Sequence, residues 1–191
     1  DSDLAESIRL GVVRPLHESE TPKGFVQLKT VAEKRDQTGR PTRRRLLVVP
    51  WDHNDFLRDI DYVSLCTVEE IGASLHTEGA ACLDIAACYT HYPLPPEAQP
   101  YYSFMFRDHW YCVQTIPTGG RHCPALAQTI LLAIRDHLLE DTRCGNITAD
   151  AYIDNIRICG PSAHVTLAVR ILMDICEHLD IRMNIESNFA A

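Results

Sequence analysis

Hydrophobic and polar positions along the chain change period several times, and each change predicts an element. Residues 3–10 have helical spacing, with Leu4, Ile8 and Ala5 on the inward side, and Gly11 ends that helix. Val12-Val13-Arg14-Pro15 leaves it in extended form. Residues 24–29 alternate as a strand does, the polar stretch 33–41 contains Gly39 and reads as a hairpin tip, and 45–49 form a second strand. Thr67-Val68-Glu69-Glu70 is a capping box opening a helix that runs to about residue 75, with Gly79 in the following loop. Residues 82–85 are an apolar run carrying a single carboxylate, Asp84, and a patch with Pro93, Pro95 and Pro96 follows.

The second half is more regular. Residues 101–106 and 110–115 flank the polar 107–109 as a hairpin, and residues 117–120 are a hinge-like loop. Pro124 opens a helix over 125–141, with Leu126, Ile130, Ile134 and Leu138 in line. Residues 147–159 read as two short strands around a turn near Asp154 and Asn155. A second long helix spans 163–179, with Leu167, Ile171, Ile175 and Leu179 inward, and 181–185 close as a strand. Mixed strands and helices, with several antiparallel neighbours, predict an α+β fold.

Length and composition narrow the function. A chain of 191 residues can bury a proper core as one domain. It has 18 Lys and Arg against 26 Asp and Glu, a net charge of −8. A nucleic-acid binder normally carries a basic footprint, so that function must rest on a local patch, on bound metal or on parts outside the chain. The local patch is Arg40, Arg43, Arg44 and Arg45, on a ribbon that could close over an anion or be a solvated charged turn. The eight cysteines form no Cys-x-x-Cys pair and sit among apolar residues, which points to a reducing, intracellular (nuclear or cytoplasmic) setting. No segment is apolar enough to span a bilayer, so no membrane partner is expected. The chain begins at Asp1, which suggests a piece of something longer.

Two constellations could carry chemistry. Asp84, at the end of its strand, could hold a hard divalent cation, or it could be a turn or cap residue. His109, Cys112, His122 and Cys123 could make a zinc set, but nothing in the sequence brings the two halves together, and packing is the simpler account.

Four segments in order resemble a reverse transcriptase. Leu83-Asp84-Ile85-Ala86-Ala87-Cys88-Tyr89 is similar to the first catalytic motif, with an aromatic five places after its Asp. The segment 116–125 (Ile-Pro-Thr-Gly-Gly-Arg-His-Cys-Pro-Ala) resembles the loop-to-helix motif. Tyr152-Ile153-Asp154-Asn155 resembles the Tyr-x-Asp-Asp hairpin, and Arg45-Leu46-Leu47-Val48-Val49 the fingers strand. Softer matches at 10–15, 67–75 and 178–187 extend the likeness over nearly the whole chain. Tyr102-Ser103-Phe104 with Trp110-Tyr111 and Pro117-x-Gly119 looks most like retrotransposon enzymes, with the tyrosine-recombinase (DIRS-like) group as the candidate subtype.

The resemblance implies a right-hand polymerase over residues 1–191: 1–80 mainly fingers, 81–191 mainly palm with a fingers portion around 95–125, and no thumb. Its antiparallel palm sheet would pack on helices. It implies an RNA-directed DNA polymerase with Mg²⁺ (or Mn²⁺) held by Asp84, Asp154 and the Ile85 carbonyl, and with Asn155 in the position of the second hairpin Asp. Tyr89 would exclude a 2′-hydroxyl, or else be a core aromatic. Arg45 would contact the triphosphate. Thr118 and Gly119 would line the incoming nucleotide, and Tyr152 would lie near the primer terminus. The implied partners are an RNA or DNA template-primer, dNTPs, and the remaining polyprotein domains (thumb, RNase H) or partner proteins.

Three departures favour a second reading, a catalytically degenerate or domesticated domain that holds RNA or protein. Asn155 removes a carboxylate, although some distant viral RNA polymerases carry Gly-Asp-Asn at that turn. Val49 and Trp51 replace the usual Asp and Arg of the fingers strand, with Pro50 between them, and the net charge is acidic. Asp150 shares a strand face with Asp154 but lies about 13 Å along the strand, too far to substitute.

Overall fold

The computed structural model describes residues 2–56, 63–73 and 77–188. The chain divides into two units, residues 1–60 with 89–123, and residues 61–88 with 124–191.

The first unit starts with α1 (Ser2–Arg9) and β1 (Val13–Pro15). The strands β2 (Gln27–Arg35) and β3 (Pro41–Val49) form an antiparallel ribbon, followed by α2 (Trp51–Phe56). The ribbon is longer than its hydrophobic pattern predicts. Residues 36–40 at its turn are exposed, and the turn is closed by the Asp36 carboxylate accepting from the Thr38 and Arg40 amides at 2.8 and 3.0 Å. The strands β5 (Ser103–Phe106) and β6 (His109–Val113) form a hairpin, with β1 added beyond β6. Its turn places Arg107 and Asp108 at φ +48° and +61°, the primed conformation that matches strand twist.

Val13, Val26, Val48, Phe104 and Val113 make the core of this unit. Leu4 packs on that core as its pattern predicts, but Ile8 and Ala5 face outward and Ser7 is buried instead, its hydroxyl donating to the Asp3 carbonyl at 2.8 Å.

Arg14 ties β1 to its surroundings by a fork of 2.6 and 2.7 Å onto the Glu20 carboxylate and a 2.9 Å bond to the buried Gln99. The Arg14 fork, with the His17 amide, holds the Glu20 carboxyl down at about 2 against an ordinary 4.5. The depressed value means that this pair's contribution is complete above about pH 4.5 and is lost as pH falls toward 2. Glu20→Gln is therefore expected to narrow its stability deficit progressively over that window. Melting curves of parent and variant across pH 2 to 5 measure this, and a constant gap would show that the pair does not form.

The second unit is a four-stranded antiparallel sheet in the order β7-β8-β4-β9, made of β4 (Gly79–Ile85), β7 (Thr148–Tyr152), β8 (Asn155–Gly160) and β9 (Met183–Asn188). The short α3 (Val68–Ala73) is opened by the capping box: Thr67 Oγ1 accepts from the Glu70 amide, and the Glu70 carboxylate accepts from the Thr67 amide at 2.7 Å. Gly79 begins β4 and is not part of a loop. The expected end of the helix near residue 75 lies outside the described residues.

Two long helices, α4 (Cys123–Glu140) and α5 (Ser162–His178), complete the second unit, and α5 packs on β4 and β8. Their buried faces match the expected ones only in part, at Ile134, Leu138 and Ile171. In α4 the inward residues are Ala127, Gln128, Leu131, Ile134 and Leu138, while Leu126 is 48% exposed. In α5 they are Val165, Ala168, Val169, Ile171, Leu172 and Cys176, while Leu167 and Leu179 are 37% and 55% exposed. A strict four-residue series drifts about 40° per step around a helix of 3.6 residues per turn, so it leaves any one face within two or three steps. Mixed spacings of three and four stay on the face.

Candidate catalytic centre

The hydrophobic alternation of β4 fixes which way Asp84 points. Gly79, Ala81, Leu83 and Ile85 are buried on one side, so Ala80, Cys82 and Asp84 occupy the other. The ladder then aligns one residue from each strand: Tyr152 opposite Asn155, Asn155 opposite Asp84, and Asp84 opposite Asn184. Asp154 joins the row from the β7–β8 turn, where its carbonyl accepts from the Ile85 amide at 2.7 Å. Sequence positions 70 apart thus meet at one end of one sheet.

The side chains form two amide–carboxylate pairs. Asn155 Nδ2 donates to Asp154 Oδ1 at 3.1 Å, and Asn184 Nδ2 donates to Asp84 Oδ2 at 3.3 Å. Tyr152 is exposed beside them. Asp150 is engaged elsewhere, held by Arg157 at 2.5 Å while Arg157 also donates to the Ile71 carbonyl.

The turn carrying Asp154 is strained. Ile153 has φ +58°, a region costly for a β-branched residue and usual for glycine at the first position of a two-residue hairpin loop. Gln128, 1% exposed on α4, holds it in place. Its side-chain oxygen accepts from the Ile153 amide at 2.6 Å, and its nitrogen donates to the Ala151 and Ser64 carbonyls at 3.0 and 3.2 Å.

Gln128 and Asn184 are site residues that the sequence reading missed. An amide on the apolar stripe of a helix was the available signal for Gln128. Asn184 was legible only as a polar position of an alternating strand, since its neighbour depends on strand order.

The first unit holds the remaining expected site residues. Arg45 stands opposite Val31 in the β2–β3 ladder. Tyr89 is half-buried in a 3₁₀ turn over Cys88–His91. Thr118 Oγ1 accepts from the Val48 amide at 3.4 Å, and the Gly119 amide donates to the Val48 carbonyl at 3.0 Å. A Cβ at Gly119 would meet that carbonyl at 2.6 Å, so the loop lies on β3 only with glycine there. Asn54 clamps the same loop through the Gly119 carbonyl and the Arg121 amide.

In donor chemistry, Asp84 and Asp154 with the Ile85 carbonyl suit a hard cation that takes one or two carboxylates and completes its shell with phosphates and water. Among the described residues no group of three or more His, Cys, Asp or Glu side chains stands ready for a metal, so the zinc set is not assembled. All eight cysteines are free thiols, and burial pushes Cys123 and Cys176 up to about 11. No helix among the described residues is long and apolar enough to cross a membrane.

No family model and no curated protein matches this chain. Among solved structures, the protease–reverse transcriptase of Prototype Foamy Virus (a CSH mutant, selenomethionine-labelled) is similar, with 16% identity and a TM-score of 0.68. The match covers 95% of this chain and 22% of that one, so the chain spans about a fifth of its length. At that identity the likeness is one of fold. The antiparallel sheets packed on helices are similar in fold to a reverse transcriptase domain.

Proposed function

We propose that this chain is the fingers and palm of a retroelement RNA-directed DNA polymerase, DIRS-like in subtype, adding dNTPs to a primer 3′-hydroxyl on a nucleic-acid template. The observation that carries this reading is the placement of Asp84, at the end of β4, beside Asp154 in the β7–β8 turn, the two joined by the Ile85 amide donating to the Asp154 carbonyl. Asp84 and Asp154 would hold Mg²⁺ or Mn²⁺ with the Ile85 carbonyl. A divalent metal bound there would supply charge stabilisation for in-line displacement at the α-phosphorus.

The chain's own residues do the rest. Arg45 pairs its planar fork with triphosphate oxygens. Tyr89 sets its ring against the sugar 2′ position and selects dNTP over NTP. Thr118 and Gly119 line the nucleotide from a loop already fixed to β3. Tyr152 lies beside the primer terminus. The 3′-hydroxyl gives up its proton to solvent water as its oxygen bonds to the α-phosphorus, and the bond from that phosphorus to the bridging oxygen breaks to release pyrophosphate. Thumb and RNase H functions would come from other domains of the polyprotein or from partner proteins, and the setting would be nuclear or cytoplasmic.

Extension of oligo(dT) on poly(rA) with Mg²⁺ or Mn²⁺, with the chain carried in its native flanking sequence, tests this reading. Asp84→Asn is expected to lower incorporation by more than about 100-fold with folding intact, since the metal's share of such a barrier is several kcal/mol. Equal incorporation by both proteins would remove Asp84 from the chemistry.

The second reading, a silent module that holds RNA or protein, is favoured by Asn155, whose amide occupies Asp154 where the family has a carboxylate. Template binding that persists in EDTA, with no incorporation by the parent, would select it.

A further inference from the structure

We propose that Asn184 is the positioning residue of the Asp84 carboxylate, so that the centre is a pair of carboxylates each braced by a neutral amide. The inference rests on the reading of Asp84 and Asp154 as cation ligands.

Two observations support it. The ladder makes Asn184 the direct cross-strand partner of Asp84, and on the other flank Asn155 is its partner from β8. The side chain then acts on that placement, with Asn184 Nδ2 donating to Asp84 Oδ2 at 3.3 Å, as Asn155 Nδ2 donates to Asp154 Oδ1. The local backbone is shaped to suit. β9 is the edge strand of the sheet, and its register shifts between the Leu83–Ile185 and Cys82–Ser187 pairs, which leaves Glu186 as the extra residue. A bulge of this kind re-aims the side chains beside it and is common next to active sites.

The chemistry explains why an amide suits the position. A lysine or arginine there would fix the carboxylate but cancel the negative charge that a divalent cation needs. An aspartate would add charge but repel Asp84 directly across the ladder. Asparagine fixes one carboxylate oxygen by its NH₂, leaves the net charge of the pair at that of Asp84 and Asp154, and keeps its own oxygen as a further hard donor.

Titration of the nucleotide-free protein with Mn²⁺, followed by the EPR signal of the free ion, reads the effect without any need for turnover. Asn184→Ala is expected to weaken Mn²⁺ binding about tenfold, the low end for groups that hydrogen-bond a metal-bound side chain, with the melting temperature in EDTA unchanged. Asn184→Asp is expected to melt lower in EDTA and to recover the difference when Mn²⁺ is added. Unchanged Mn²⁺ affinity in Asn184→Ala overturns the proposal, as does a loss of stability in EDTA with unchanged affinity, which is the behaviour of a merely structural side chain. Asp84→Asn is the control that separates the two levels. If the parent binds no Mn²⁺, or if Asp84→Asn binds it equally well, the cation-centre reading itself fails and takes this inference with it. If Asp84→Asn weakens binding and Asn184→Ala does not, only the inference fails.

Discussion

Replacing Gln128 by methionine is expected to destabilise the protein by about 3 kcal/mol and to abolish metal binding at the sheet end. The size follows from burial. Gln128 is 1% exposed and makes three hydrogen bonds, to the Ile153 amide and to the Ala151 and Ser64 carbonyls. Methionine fills similar volume but leaves the Ile153 amide and the buried Ala151 carbonyl without that partner, at about 1–3 kcal/mol for each buried unsatisfied group, while the carbonyl of exposed Ser64 turns to water. The Ile153 amide matters most, because Ile153 sits at φ +58° and left-handed geometry costs an ordinary residue about 1–2 kcal/mol. Without the Gln128 oxygen the turn is free to relax, and Asp154 moves with it. Urea unfolding measures the stability change, and hydrogen exchange at the Ile153 amide measures the local one. A loss under about 1 kcal/mol with Ile153 still protected would show that the turn holds itself.

The second large effect is expected from Asn155→Asp. Asn155 lies directly opposite Asp84, and its amide is bonded to Asp154, so an aspartate there sets three carboxylates at one sheet end. Like charges across a ladder repel, so in EDTA at low salt the variant should lose about 0.5–1 kcal/mol. Divalent cations should reverse that loss and make the variant more stable than its own metal-free state. The added ligand should raise Mg²⁺-dependent primer extension at least about tenfold over the parent. Three outcomes are informative. Extension by the variant alone describes a polymerase silenced at one position. Extension by both means that Asp84 and Asp154 suffice. Extension by neither, with the protein folded and template-bound, selects the silent module. A variant whose stability ignores divalent cations would refute a metal centre at this sheet end.

Local pattern and tertiary structure contributed differently. The capping box at Thr67 and Glu70, the hairpin around Arg107 and Asp108, and the turn expected near Asp154 and Asn155, which falls one residue earlier at Ile153 and Asp154, were legible because a few adjacent residues carry the signal. The apolar run of β4 was likewise legible as a strand with Asp84 at its end, while the face that Asp84 takes follows from the alternating burial in the structure. Helix faces were legible only in part, with Ile134, Leu138 and Ile171 buried as expected, because the sequence shows several apolar series and only packing chooses among them. Leu126 and Leu179 were expected inside and lie exposed, while the amide of Gln128 went in.

From residues alone come the α+β class, most of the element order and a candidate cation-binding carboxylate at Asp84, to which the resemblance adds Asp154. The resemblance to a polymerase follows from four short motifs, each read within about ten residues. The tertiary structure alone decided the strand order β7-β8-β4-β9, and with it the row Tyr152, Asn155, Asp84 and Asn184. It also decided that Asp150 belongs to Arg157 and that Gln128 supports the Asp154 turn. The division has a physical cause. Local hydrogen bonds and side-chain period act over a few residues, whereas strand pairing and burial join positions 100 apart, such as Asp84 and Asn184, through a ladder that no local pattern encodes.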